Sequence, residues 1–415
     1  MSPAVVAGRA RRARARASAA LAGLAVGGLA AAYAAFALLA PIPAVAATLL
    51  PLGVVSTPAA EVILPGYGAG AIGGVDDGLI YAGSDLDTPR PIASITKVVT
   101  ALVVLDAHPI AEGQPGATLT LTAGDAALRE RYAAIGGTTA PAPAGLAVSE
   151  RQVIELMMVQ SANNYAETLA TWAFGSVDAY LAAARSWLDA RGLTTIAIAD
   201  ATGFSPGNTA SPRALLELGR LAAADPVVSA ASALPSVTVP GVGTFENRNR
   251  LIGIDGVTGL KTGTLDEAGA CLLFTAVHEI EGESVPIVGV VLGGPDHVRL
   301  AADVRALLAS VRDDYHAVPV ATQGELVALY EAPWGETARV EVARSVDELV
   351  WGPIETRTAV ALPLLRPGLA PPPLGPLTVR FGGTAVEVAL ELDEPLEGPD
   401  LAWRLSRPIT ELLDG

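Results

Sequence analysis

Apolar residues along this chain change rhythm several times, and each rhythm predicts a different element. Ala17 to Ala40 runs 24 residues without a charge, behind Arg9, Arg11, Arg12, Arg14 and Arg16. As a helix that run is long enough to cross a bilayer. Ala44-Val45-Ala46 then has the small-residue pattern of a cleavage site, so residues 1–46 read as a signal peptide or an N-terminal membrane anchor. Leu49 to Gly74 is apolar, rich in Pro, Gly and Ala, and aperiodic; residues 47–76 are expected to be a linker. Leu79-Ile80-Tyr81-Ala82 reads as a short strand. Ile95, Val98, Val99 and Leu102 have helical spacing, so a helix begins near Ser94 and runs to about Asp106. Ser149 and Gln152 form a capping box for a helix over Glu150–Val159. Ser161 falls at the bend that follows, helix resumes over Asn164–Phe174, and Ser176–Arg191 is a further helix stopped by Gly192.

In the second half the period becomes that of strands. The run Ala270-Cys271-Leu272-Leu273-Phe274-Thr275-Ala276-Val277 predicts a buried strand, and a turn at Glu279–Ser284 leads into a second one, Val285–Leu292. Gly293-Gly294-Pro295-Asp296 caps a helix over Asp296–Asp314. Beyond Pro319, short Val/Leu/Thr runs alternate with Pro and Gly: Ala338–Val342, Thr358–Leu362, Leu377–Phe381 and Val386–Leu390. That pattern predicts a β-sandwich over residues 317–415. No apolar or amphipathic tail is expected after Trp403-Arg404-Leu405, which leaves the N-terminus as the membrane attachment. The whole reads as α+β: an antiparallel sheet covered by helices over residues 77–316, with an all-helical insert carrying Ser161, and then the β-rich domain.

Composition alters this picture in two places. Net charge is −16, so a phosphate-coating basic surface is absent and nucleic acid is excluded as a partner. The second point concerns lysine. Of 27 Lys+Arg residues only two are Lys, Lys97 and Lys261. Arginine cannot give up its proton in a protein, whereas lysine can. Two positions that stayed lysine in an arginine-rich chain need a titratable amine or a compact point charge.

Both lysines sit in stretches that can carry chemistry. In Ala93-Ser94-Ile95-Thr96-Lys97, helical spacing sets the amine beside the Ser94 hydroxyl. A hydroxyl needs an adjacent base to become a nucleophile. A lysine serves as that base once desolvation or a second cation lowers its pKa. Lys261 lies in Gly259-Leu260-Lys261-Thr262-Gly263-Thr264, where glycine lets a ligand or another backbone approach the strand edge. Between them stands Gln160-Ser161-Ala162-Asn163-Asn164.

Other candidates fall away. Gly203-Phe204-Ser205-Pro206-Gly207 matches a Gly-x-Ser-x-Gly elbow, but Pro206 lacks the N–H that an oxyanion hole would take from it, so Ser205 reads as a turn residue. His108, His278, His297 and His316 are scattered without metal-ligand spacing, so neither metal nor cofactor is expected. Cys271 is the only cysteine and reads as a small packed hydrophobe.

Ser-x-x-Lys, Ser-x-Asn and Lys-Thr-Gly in this order resemble the three motifs of the serine penicillin-binding proteins and β-lactamases. Their flanks, including Asp255-Gly256-Val257-Thr258-Gly259 ahead of Leu260, narrow the likeness to the D-alanyl-D-alanine carboxypeptidases, the low-molecular-weight penicillin-binding proteins of cell-wall maturation. The likeness covers about Leu79 to Tyr315, and an appended β-domain also occurs in many of these enzymes. It implies Ser94 as nucleophile, Lys97 as its proton acceptor and Ser161 as proton relay to the departing D-alanine. It further implies Asn163, Lys261, Thr262, Gly263 and Thr264 as substrate-binding residues, with an oxyanion hole from the N–H groups of Ser94 and Thr264. Arg299 falls where the family often carries a carboxylate-binding arginine. The implied partners are peptidoglycan stem peptides and β-lactam inhibitors, at the cell-wall face of the cytoplasmic membrane. A β-lactamase of this layout would need a Glu-x-x-x-Asn loop; Glu167, Glu217 and Glu246 each lack the asparagine. The alternatives are a β-lactamase or a DD-transpeptidase on the same motifs, or a non-catalytic membrane-anchored surface-binding protein.

Overall fold

The computed structural model describes residues 3–59, 61–111 and 113–413. Met1, Ser2, Ala60, Glu112, Asp414 and Gly415 lie outside the described residues. The chain forms two compact units, one continuous over Pro58–His316 and one built from Met1–Thr57 together with Ala317–Gly415.

In the continuous unit five antiparallel strands make the central sheet: β1 (Ala69–Gly74), β2 (Ile80–Ser84), β3 (Val257–Leu265), β4 (Gly269–Ile280) and β5 (Glu283–Gly294), in the order β3-β4-β5-β1-β2. The β4–β5 hairpin is pinned by its turn. Ile280 pairs with Glu283, and the two residues between them, Glu281 and Gly282, both have positive φ, as a two-residue hairpin turn of the favoured twist requires. Strand β1 lies where a spacer was expected. Its six residues, Ala-Gly-Ala-Ile-Gly-Gly, are all buried between β5 and β2. Small side chains let it sit at the middle of the sheet, yet they carry no strand-like alternation. The linker reading of residues 47–76 is corrected accordingly, and the sheet starts earlier than residue 77.

Five helices position the site: α1 (Thr96–Ala107), α2 (Glu150–Val159), α3 (Asn163–Phe174), α4 (Pro212–Ala224) and α5 (His297–Asp313). Helix α1 has ten consecutive buried residues, Thr96 through Leu105. A helix apolar all round belongs at a core, and α1 packs against α2, α3, α4 and β3. The capping box of α2 is present, with Ser149 accepting from the Gln152 N–H and Gln152 accepting from the Ser149 N–H. Helix α5 is capped by Asp296, whose carboxylate accepts from the N–H groups of Val298 and Arg299, each at 2.8 Å.

The discontinuous unit is strand-rich. A four-stranded sheet runs in the spatial order Ala47–Leu49, Leu326–Glu331, Thr337–Val342 and Leu390–Leu392. A three-stranded sheet holds Arg357–Val360, Leu377–Phe381 and Thr384–Val388, and Tyr315–Ala321 pairs with Val346–Trp351. Val327, Tyr330, Val340, Val379 and Val388 share one buried core. Residues Ala47–Leu49 are therefore a strand of this unit, not part of a spacer. Pro3–Leu39 is a single helix, and its stretch Arg11–Leu39 is long and apolar enough to cross a membrane. A second helix, Leu401–Leu413, closes the unit, with Leu401 and Leu405 exposed beside Arg404. The expectation of no amphipathic tail is corrected: helical spacing separates apolar and charged positions there, a pattern that three residues around Trp403 are too short to reveal.

Candidate active site

Ser94 sits in a single 3-10 turn, Ala93–Ile95, that leads directly into α1. It is partly exposed, whereas Lys97 is fully buried one turn along. The Lys97 amine lies 2.9 Å from Ser94 Oγ and 2.6 Å from Asn163 Oδ1, and donates to the Thr202 carbonyl. Burial foremost, and then the charge of Lys261, hold the Lys97 pKa well below the ordinary lysine value. A neutral amine has two hydrogens and one lone pair. Asn163 Oδ1 and the Thr202 carbonyl can only accept, so they take the two hydrogens. The lone pair is left facing the Ser94 hydroxyl, the geometry a general base requires.

The third ligand of that amine is set by a residue the motifs did not reveal. The Asp200 carboxylate accepts from the N–H of Thr202 at 2.7 Å, Gly203 at 2.6 Å and Ser205 at 2.7 Å, and from Asn208 Nδ2 at 3.2 Å. These bonds fold the loop so that the Thr202 carbonyl points at Lys97. Gly203, with φ of +79°, lies so close to the Ser94 turn that a Cβ there would come within 2.0 Å of the Ala93 carbonyl oxygen. The Gly-x-Ser-x-Gly stretch thus buttresses the Ser94 turn, and Ser205 accepts from the Gly207 N–H as a turn residue.

Ser161 and Asn163 are delivered by the break between α2 and α3. Ser161 adopts φ of +64°, which aims the chain back toward the cleft, and Asn163 N–H bonds the Thr138 carbonyl. Both side chains are almost wholly buried. Opposite them, β3 carries Lys261, Thr262, Gly263 and Thr264. A Cβ on Gly263 would meet the Ile92 carbonyl oxygen at 2.8 Å and Ser94 N at 3.2 Å, so glycine is what lets this strand lie against the Ser94 turn. The Lys261 ammonium is buried and donates to the Thr262 carbonyl at 3.1 Å. Burial, then Arg248, lower its pKa to about 7.

A cleft of about 860 Å³ connects these pieces and is lined by Ser94, Ser161, Thr262, Gly263 and Thr264. Arg248, His297 and Glu246 also line it. Arg248 is exposed and donates through Nε to the Gln160 carbonyl at 3.1 Å. Thr264 Oγ1 is 2.6 Å from His297 Nε2. Arg299 does not line the cleft: it pairs with Asp303 at 2.9 Å, an acid that also accepts from the Tyr67 hydroxyl. Helix geometry explains the difference, since two residues along a helix rotate a side chain by roughly 200°, so position 297 faces β3 and position 299 is rotated away. Glu167 is engaged by Arg131 and Tyr132, and Glu217 by Arg220. Among the described residues no group of three or more His, Cys, Asp or Glu converges on a point that could hold a metal. Cys271 is buried in β4 with its thiol toward the Ala268 carbonyl.

A sequence profile described as D-alanyl-D-alanine carboxypeptidase matches residues 74–296, just over half the chain. Among curated proteins, a D-alanyl-D-alanine endopeptidase of Pseudomonas aeruginosa is 31% identical over 45% of this chain and 59% of its own length. One of the same name from Escherichia coli is 26% identical over 46% of this chain and 61% of that protein. The chain thus spans about three fifths of these two relatives. Among solved structures, the Streptomyces K15 DD-transpeptidase superposes with a TM-score of 0.52 at 22% identity, covering 62% of this chain and 98% of that one. A D-alanyl-D-alanine carboxypeptidase from Francisella tularensis gives a TM-score of 0.57 at 19% identity, over 82% and 95%. At these identities the structural likeness speaks for the fold, an α+β arrangement of the DD-peptidase kind.

Proposed function

The chain belongs to the D-alanyl-D-alanine carboxypeptidase family, and on that premise we propose that residues 58–316 cleave the D-Ala-D-Ala bond of peptidoglycan stem peptides through a Ser94 acyl-enzyme. The observation that carries this reading is the Lys97 nitrogen, 2.9 Å from the Ser94 hydroxyl and in contact with two further oxygens that can only accept. Ser94 Oγ attacks the carbonyl carbon of the penultimate D-alanine as its proton passes to Lys97. The tetrahedral oxyanion falls between the N–H groups of Ser94 and Thr264, which the close approach at Gly263 brings together. Ser161 passes a proton to the departing amine, the C–N bond breaks, and water then hydrolyses the ester. Asn163 holds Lys97 and the substrate side of the relay. Lys261, Thr262 and Arg248 attract the carboxylate of the leaving residue.

A carboxypeptidase releases a terminal D-alanine. The curated relatives bear endopeptidase names, which favours as second reading a cut at the D-alanine bond inside a cross-link. Penicillin, an acylating mimic of the same bond, is expected to be retained as a stable adduct. The apolar helix Arg11–Leu39 supports a location at the outer face of the membrane, as anchor or as a leader that is removed. Labelled penicillin should give a covalent adduct in the wild type and none in Ser94→Ala, and free D-alanine should appear from an acyl-D-Ala-D-Ala peptide. A folded protein that does neither would remove the peptidase reading.

A further inference from the structure

The contact between Thr264 and His297 is unused by the steps above, and the peptidase reading raises the question it answers. Thr264 is the last polar side chain of the β3 motif and is exposed to the cleft, and His297 is the first residue of α5. Their 2.6 Å separation makes the two polar atoms partners, and the direction of that bond depends on the imidazole. When Nε2 carries no proton, the Thr264 hydroxyl must donate to it, and only oxygen lone pairs face the cleft. When Nε2 is protonated it donates to Thr264 Oγ1, and the hydroxyl hydrogen is free to point at the substrate. The first state accepts an amide N–H and repels a carboxylate. The second donates to a carboxylate.

We propose that His297 is the specificity-determining residue of the leaving-group end of the cleft, reading through Thr264 whether the departing residue ends in a free carboxylate. This rests on the peptidase reading and goes beyond it, to the choice between a free chain end and a continuing one.

The surroundings of His297 bias the choice. Lys261 on β3 and Arg248 and Arg250 on the preceding loop are cations that face it, and Asp296 at the cap of α5 is the opposing acid. Burial and the first two cations outweigh Asp296 and hold the imidazole pKa below its ordinary value. In the empty cleft near neutral pH the ring is uncharged, and with its single proton on Nδ1 it leaves Nε2 to accept from Thr264. A substrate carboxylate arriving beside Lys261 supplies the missing countercharge, and the ring takes a proton from solvent as it binds. An amide-capped end supplies none. Preference for a free acid over an amide then rises as pH falls. Lys261 contributes its own change around pH 7, so the His297 part is the portion that continues below that.

The test uses the full-length protein and a matched pair of acyl-D-Ala-D-Ala peptides, one with a free C-terminal carboxylate and one with a C-terminal amide. The ratio of their kcat/KM values is measured from pH 5 to 8.5 in wild type, His297→Gln and His297→Arg, and His297→Asn stands in if the glutamine variant does not fold. Labelled penicillin confirms that Ser94 is reactive in each. The wild-type ratio should climb by about tenfold between pH 7.5 and 5.5. His297→Gln should keep the step near 7 and lose the rise below it, and His297→Arg should hold the ratio high throughout. A ratio in His297→Gln that still tracks wild type, with both peptides turned over, overturns this inference alone. No penicillin adduct and no turnover of either peptide in wild type overturns the peptidase reading and this inference with it.

Discussion

Lys97, on the helical wall of the cleft, and Lys261, on the strand wall, are both buried amines with lowered pKa values, yet the protein holds them differently. Lys97 is saturated: a side-chain amide, a backbone carbonyl and the Ser94 hydroxyl occupy every direction the nitrogen can use. Lys261 makes one hydrogen bond among the described residues, to the carbonyl of the next residue on its own strand, which leaves its remaining hydrogens without a protein acceptor among them. Its pKa near 7 means a substantial fraction stays charged at neutral pH. The pairing teaches that burial alone does not assign a role. The number and kind of partners decide whether a buried amine moves a proton or attracts an anion.

The sharpest way to break this comparison is to replace each lysine with arginine, which keeps the charge and cannot be deprotonated. Lys97→Arg should lose at least about 10³-fold in penicillin acylation rate, because the base is gone. Lys261→Arg should lose only about 10- to 100-fold, seen mainly as a raised KM. Equal losses would mean that both amines serve the same function. Next in size, Gly263→Ala should cost about 10²-fold in kcat, the scale of one lost oxyanion donor. Its Cβ would press on the Ile92 carbonyl and drive β3 away from Ser94.

Arg248→Ala sharpens the Lys261 side. Below a pKa of about 7 Lys261 is cationic, so KM for a carboxylate-ended peptide should rise as pH climbs through that value. Arg248 is the cation that lowers this pKa after burial. Its removal should raise KM by about tenfold and move the pH-dependent rise upward. The smallest effect expected is that of Arg299→Ala, within about twofold of wild type in kcat/KM, because its partner is Asp303 outside the cleft. A large KM effect there would return the carboxylate site to Arg299.

What the sequence revealed and what it hid follow from how each residue acts. Ser94 and Ser161 line one cleft, and Lys97 is hydrogen-bonded to Ser94 and Asn163 behind it; these residues and Lys261 were legible because each belongs to a short motif of side chains at fixed spacing. Asp200 acts through four backbone N–H groups on its own loop, which leaves no signature beyond an acidic residue before a Thr-Gly pair. Arg248 and His297 reach the cleft from a loop and a helix start, and only the folded register shows that position 297 faces inward where 299 does not. The hairpin of β4 and β5 was legible because long apolar strands alternate with a turn. Strand β1 was not, because alanine and glycine are as common in a spacer as in a tightly stacked inner strand.

The chain threads its two units in an order with a temporal consequence. Residues Ala47–Leu49 leave the ribosome early, but the strand they pair with, Leu326–Glu331, is some 280 residues away. The intervening unit is contiguous and contains all of its own sheet. During synthesis the continuous unit can therefore close first, while the segment after the apolar helix stays unzipped until the strand Leu326–Glu331 has emerged. A nascent chain halted before residue 317 would carry a finished cleft and an unfinished strand-rich unit.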